Sequence, residues 1–252
     1  MVCSLAKVAY AVYWGVTKTG NDGHLRGILK QKIILFDINE TVLSLKSLRP
    51  KFHAALHDER LTDTWFSMLL HASTVSMVTA VKADFASLAK ISLTSLAARL
   101  GIELSNDVID DILSTFAELS PHADIKPALS ELREAGFKTA ALSNSSRNLI
   151  SKQIENAALG DFFDEVISVQ ESGTFKPSGE AYELASMRLG RAKQDLRLVA
   201  AHDWDTHGAL CAGLDAAYIN RTGSLYNPLY KKPDIVAATM QEIVVKIILA
   251  DK

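Results

Sequence analysis

One pattern constrains this chain more than any other. A short apolar run stops abruptly at polar residues, a stretch with helical spacing follows, and the unit recurs. Lys32–Phe36 ends in Asp37, and Phe137–Leu142 ends in Ser143-Asn144. Glu165–Val169 is a shorter run, Leu196–Ala201 ends in His202-Asp203, and Ala216–Ile219 ends in Asn220-Arg221. Apolar runs without alternation read as strands of a parallel sheet buried on both faces. Helical patterns lie between them at Pro127–Ala135, Arg147–Ala157, Ser178–Leu189 and Thr206–Ala212. Gly136, Gly160, Gly190 and Gly213 stand at or near their ends, as C-terminal caps. Alternation of this kind predicts an α/β fold, a Rossmann-like doubly wound parallel sheet. Its strand ends gather Asp37, Ser143-Asn144, His202 to Asp205 and Asn220-Arg221 on the edge that carries the site in open sheets of this class.

Residues 48–120 break the alternation. Trp65, Met68, Leu69 and Ala72, then Leu93, Leu96, Ala97 and Leu100, keep helical spacing. Residues 101–105 look like a link and Asn106–Ala117 like a further helix. The stretch is therefore a helical insertion after the first strand. It leaves the sheet just after Asp37 and returns before the second strand, so we expect a cap domain that closes over the strand ends and excludes water. The expected organisation is an N-terminal extension over 1–30, a core domain from 31–47 and 121–252, and a helical cap over 48–120. A last amphipathic helix is predicted over Asp234–Ala250.

With 48% hydrophobic residues in 252, the chain can bury a sizeable core. A formal net charge of -2 gives no global attraction for nucleic acid. The two cysteines, Cys3 and Cys211, form neither a disulfide framework nor a zinc pattern, so a reduced cytoplasmic setting is expected. The apolar run Val8–Val16 is too short to span a bilayer, and no small-residue cleavage site follows it. No membrane partner is expected.

Four short motifs in order carry a family resemblance. Phe36-Asp37-Ile38-Asn39-Glu40-Thr41-Val42, Leu142-Ser143-Asn144, Phe175-Lys176-Pro177 with Tyr182, and Val199–Asp205 with Gly208-Ala209 resemble the four motifs of the haloacid dehalogenase (HAD) superfamily. Within it the chain looks like the type II (S)-2-haloacid dehalogenases, which have a helical cap after the first strand. The resemblance spans about residues 32–230. It implies a HAD core, a small anionic haloacid substrate, no cofactor or metal, and an aspartyl ester intermediate. Apolar cap helices could form a homodimer face, and the family often dimerises.

By that resemblance Asp37 is the nucleophile, since a carboxylate can form an ester and split one hard step into two. Lys176 would hold that carboxylate, and Asp205 would orient Lys176. Ser143 and Asn144, before a helix start, make an anion site for the substrate carboxylate. Thr41, Tyr182 and Trp204 match positions that line the site. Superfamily phosphatases place a second Asp two residues after the nucleophile as general acid; here Asn39 stands there, able only to hold the site by hydrogen bonds. A halide leaves without a proton, so a dehalogenase can do without that acid. Two further departures matter. The cap position where many relatives carry an Arg holds Phe66, whose ring edge can meet a halide weakly; Arg60 and His71 are other polar groups of the insertion. His202 stands where the usual motif has Asn. It is the expected base for the hydrolytic water, with Glu40 orienting it; His207 is expected on a helix surface. Competing readings are a Mg²⁺-dependent phosphatase with Asp37 and Asp203 or Asp205 on the metal, and a non-catalytic binding protein on the same fold.

Overall fold

A computed structural model describes residues 31–251. The expected N-terminal extension and Cys3 lie outside the described residues. In chain order come β1 (Ile33–Phe36), α1 (Arg49–Leu56), α2 (Leu61–Val78), α3 (Phe85–Arg99), α4 (Asn106–Thr115), α5 (Ile125–Glu134) and β2 (Lys138–Ser143). Then follow α6 (Arg147–Asn156), β3 (Glu165–Ser168), α7 (Gly179–Leu189), β4 (Leu196–Ala200), α8 (Asp203–Ala212), β5 (Asp215–Ile219), β6 (Ile235–Ala237) and α9 (Met240–Asp251).

The six strands form one parallel sheet in the order β3-β2-β1-β4-β5-β6. This is the doubly wound arrangement expected from the alternation. Successive side chains on a strand face opposite ways, and both faces are covered. Ile34 and Phe36 pack with α5, α6 and α9 on one side. Ile33 and Leu35 pack with α7 and α8 on the other. That double burial explains why the strands read as unbroken apolar runs. The chain leaves β1 in one direction for β2, and its other neighbour, β4, arrives from the opposite winding. The crevice between the β1 and β4 ends is thus the switch point where such sheets hold ligands.

Helices α1–α4 come from the stretch with unbroken helical spacing. Fully buried Trp65 is their hub. Its indole donates to Ala89 O at 3.0 Å, and its ring meets Phe52 at 5.4 Å and Phe116 at 5.7 Å. A buried indole needs such a partner for its N–H. Ser105 and Asp84 cap α4 and α3 by accepting from Val108 N and Ser87 N.

Two local expectations are corrected. Residues 234–250 do not form one helix. Ile235–Ala237 is an edge strand against β5, and α9 begins at Met240. Ile-Val-Ala suits either period in so short a run; the open edge of β5 decided it, with Asn220 N donating to Ala237 O at 2.8 Å. Gly160 is no helix cap either. Ala158 takes the left-handed turn after α6 (φ 51°), while Gly160 opens a short 3-10 turn. Gly136, Gly190 and Gly213 do adopt positive φ at helix ends.

Candidate active site

The site grows from the first residue after β1. The Asp37 backbone extends the ladder, its N–H donating to Val199 O at 3.0 Å. The chain then turns tightly, with Glu40 in the left-handed region at φ 65°, a conformation rare for a side chain of this size. The turn brings Thr41 back over Asp37. Its hydroxyl donates to Asp37 Oδ2 at 2.7 Å and accepts from Ala201 N at 2.8 Å. One side chain thereby ties the β1 end to the β4 end.

Lys176 enters from the loop before α7 and is 1% exposed. Its ammonium donates to Asp37 Oδ1 at 2.8 Å, Asp205 Oδ2 at 2.6 Å and Leu142 O at 3.1 Å. All three of its donors are used. Burial alone would favour the neutral amine, but Asp205 and Asp37 hold the cation and raise its pKa. Burial also works to protonate Asp37; the Lys176 charge, and after it the neighbouring His202, prevail and hold that carboxyl well below the usual range. Asp205 is pushed upward by its burial. Its other oxygen accepts from the Tyr182 hydroxyl at 2.7 Å, and burial and Asp205 keep that phenol protonated.

His202, at the end of β4, sits between two carboxylates. Its Nδ1 lies 3.3 Å from Asp37 Oδ2, and its Nε2 lies 3.8 Å from Glu40 Oε2. The Nδ1 contact is off the hydrogen-bond line, and that nitrogen has no bonded partner. Its ring stacks on Trp204 at 5.3 Å and lies 6.1 Å from Phe66.

These groups face a small cavity. Its polar wall is Asp37, Asn39, Asn144, Lys176 and His202; its apolar wall is Phe66, Leu70, Phe85 and Trp204. It leaves about 10 Å³ for the centre of a water-sized sphere, room for about one water. A larger cleft of about 450 Å³ lies outside it, beside Glu40, Asp203 and Arg221. His202 is the one residue that lines both. A larger groove of about 730 Å³ runs between the α2–α3 turn and Gly173–Phe175. It does not reach Asp37; the Phe85–Phe175 ring pair stands at that boundary.

The remaining candidates are placed as follows. Asn144 lines the cavity while its Oδ1 accepts from Lys176 N at 2.9 Å. Ser143 does not reach the cavity; its Oγ accepts from Ser145 N at 3.2 Å. Tyr182 stands behind Asp205 and outside the cavity. The Asn39 amide lies at the cavity wall, but its bonds go to Ser145 Oγ and Gln153 Nε2. Asn220 bonds within its own loop. Arg221 donates to Thr41 O and Asp124, bracing the turn from outside. Arg60 is exposed and paired with Asp58, and His71 is exposed, so the cavity receives Phe66 and Leu70 from α2 and neither of those two polar groups. His207 stacks on Tyr230 at 4.4 Å, away from the site. Sequence reasoning missed Leu70, Phe85 and the buried Gln153. Leu70 follows Phe66 by four residues on one helix face, which was a usable signal; Phe85 had none.

The donor set does not suit a divalent metal. Both Asp205 oxygens are taken by Lys176 and Tyr182. Asp203 accepts from Trp204 N and Asn227 N. A buried ammonium already occupies the place between Asp37 and Asp205. Among the described residues no group of three or more His, Cys, Asp or Glu is arranged to hold a metal ion. No described helix is long and apolar enough to cross a membrane.

A doubly wound parallel sheet with an Asp–Lys pair at its switch point, and helices inserted just after that Asp, is a HAD-type core. The chain belongs to the haloacid dehalogenase-like hydrolase family, whose model matches residues 31–202. It is 27% identical over 214 residues to an (S)-2-haloacid dehalogenase of Pseudomonas sp. strain YL, across 83% of this chain and 88% of that one. It is 29% identical over 192 residues to the (S)-2-haloacid dehalogenase of Xanthobacter autotrophicus, across 75% of each chain. The solved structure of an L-2-haloacid dehalogenase from X. autotrophicus superposes with a TM-score of 0.80 at 25% identity, covering 86% of this chain and 98% of that one.

Proposed function

We propose that this protein hydrolyses short (S)-2-haloalkanoates to (R)-2-hydroxyalkanoates and halide through an ester on Asp37. The observation that carries the reading is the setting of Asp37. It is an ionised carboxylate held by Lys176 and Thr41, facing a small cavity with apolar walls. No acid stands at Asn39 to protonate a leaving group, and a halide needs none. The names of the relatives supply the substrate class.

In this mechanism an Asp37 oxygen attacks C2 and the halide leaves opposite, inverting that carbon. Lys176 and Thr41 fix the carboxylate's direction. The amide of Asn144, with Oδ1 already engaged, has N–H groups left for the substrate carboxylate or the departing halide. Phe66 and Trp204 offer ring edges to the halide. Water then attacks Asp37 Cγ, with His202 as base and Glu40 orienting its ring. Helices α1–α4 act as the cap whose movement admits substrate, since the cavity has room for about one water. Homodimerisation and a cytoplasmic location belong to the same reading, and sedimentation measures the first.

The test is bromide release from racemic 2-bromopropionate in EDTA, with Asp37→Asn as control. Release of half the bromide, from one enantiomer, by the wild type alone is the expected result. No release above the control overturns the reading for this substrate.

A further inference from the structure

We propose that His202 is a charge switch: an imidazolium while Asp37 is a free carboxylate, and a neutral base once Asp37 is esterified, so that the proton of the reaction leaves with the halide and before ester hydrolysis. The proposal rests on the dehalogenase reading above and deepens it.

Geometry favours a cationic ring in the resting enzyme. Each nitrogen faces a carboxylate, Asp37 at 3.3 Å and Glu40 at 3.8 Å. The faces meet aromatic rings, Trp204 at 5.3 Å and Phe66 at 6.1 Å, whose π clouds attract a cation. The other charges nearby are already matched. Lys176, beyond Asp37, is shared with Asp205. Asp203 is bound by backbone N–H groups, Arg221 is paired with Asp124, and Arg49 with Asp63. Lys46 and His122 complete the charged wall of the outer cleft. Burial works against the imidazolium, but the Asp37 and Glu40 contacts overcome it and push its pKa up to about 9. A ring in that state cannot take a proton from water at neutral pH. It needs Asp37 to lose its charge first, and alkylation of Asp37 does that.

The proton count then closes. Asp37 attacks C2, the C–halogen bond breaks with its electron pair on the halide, and Asp37 becomes a neutral ester. His202, left with burial and the more distant Glu40, sheds its Nδ1 proton to a water beside Asp37, and the proton leaves through the outer cleft that His202 also lines. Glu40 keeps the Nε2–H, so the lone pair appears on Nδ1, the nitrogen beside Asp37. A water there gives one proton to Nδ1 while its oxygen bonds to Asp37 Cγ. The tetrahedral centre collapses, its remaining O–H proton passes to the departing alkoxide, and the resting pair of carboxylate and imidazolium is restored. The net reaction consumes one water and releases one halide and one proton. His202 is not the halide's receptor in this scheme. In-line attack sends the halide to the side of C2 away from Asp37, whereas Nδ1 touches Asp37 itself.

Two measurements test this. The first is an NMR titration of the histidine rings without substrate. In the wild type, His202 is expected to stay protonated above pH 8. Asp37→Asn should lower its titration by about one pH unit or more, and Glu40→Gln by less. A neutral His202 at pH 7.5 in the wild type, or the same titration in Asp37→Asn, overturns the proposal. The second is a single turnover of bromoacetate with a pH-indicator dye, on wild type alone and so independent of how any variant folds. One proton per bromide in the alkylation phase is expected; a proton that appears only as the ester decays overturns the switch. Bromide release with an ordinary His202 titration sinks the switch and keeps the dehalogenase. A raised titration with no bromide released sinks the dehalogenase reading instead.

Discussion

The two ends of the parallel sheet each bury a cation among carboxylates, and they use it differently. At the amino end Arg197 on β4 is 1% exposed. Its guanidinium donates to Asp251, Asp234 and Ala216 O. All five N–H donors are used, none of the three cavities described above is lined by Arg197, and the result clasps β4 and β5 to β6 and α9. At the carboxyl end Lys176 is equally buried and equally saturated, but its partner Asp37 is not. Asp37 accepts from Lys176 and Thr41, keeps lone-pair capacity to spare, faces a cavity and has an off-line imidazole beside it. Burial and pairing therefore do not distinguish clasp from site. The distinguishing feature is unspent bonding capacity aimed at open space.

Crossed substitutions separate the two ends. The largest effect is expected from Asp37→Asn: halide release should fall by about ten-thousand-fold or more while the melting temperature changes little. Retained activity would remove the contrast altogether. Next is Arg197→Leu, which leaves the buried Asp251 with a 3.4 Å contact to Lys32, while Asp234 is half exposed. We expect a loss of about 3 kcal/mol in urea unfolding, with turnover per folded molecule unchanged. A drop in turnover would mean that the clasp also tunes the site. Gly208→Ala comes third. Its Cβ would stand 2.5 Å from Pro177 Cβ and 2.6 Å from the Tyr182 hydroxyl. We expect a cost of about 1–3 kcal/mol together with a fall in kcat, because Tyr182 holds Asp205 and Asp205 holds Lys176. The smallest effect is Leu70→Ala at the apolar wall. Widening the cavity should raise kcat/KM for 2-bromobutyrate relative to bromoacetate by about tenfold, and an unchanged ratio would show that this wall does not limit chain length.

The strand ends were legible because a buried parallel strand must be apolar throughout and must stop where the chain meets the crevice. Asp37, Asn144 and His202 were read that way, and all three line the cavity. Lys176 was visible through its Phe-Lys-Pro setting. Ser143 and Arg221 obeyed the same rule, yet one turns inward to Ser145 and the other braces Thr41 from outside. A strand-end position says which edge a residue reaches and not which way its side chain turns. The short strand β6 escaped notice because three apolar residues carry no readable period.

By itself the sequence determined the parallel core, the edge that carries the site, the helical stretch after β1 and the family. The first three follow from local patterning, where apolar period and polar punctuation dictate what can be buried; the family was legible through its four short motifs. Only the tertiary structure decided that α2 and α3 close the cavity with Phe66, Leu70 and Phe85, leaving space for about one water. It also decided that His202 rests between Asp37 and Glu40, with Trp204 stacked on its ring. Those facts depend on distances between elements remote in the chain, set by how the insertion packs on the sheet, and no local pattern encodes them.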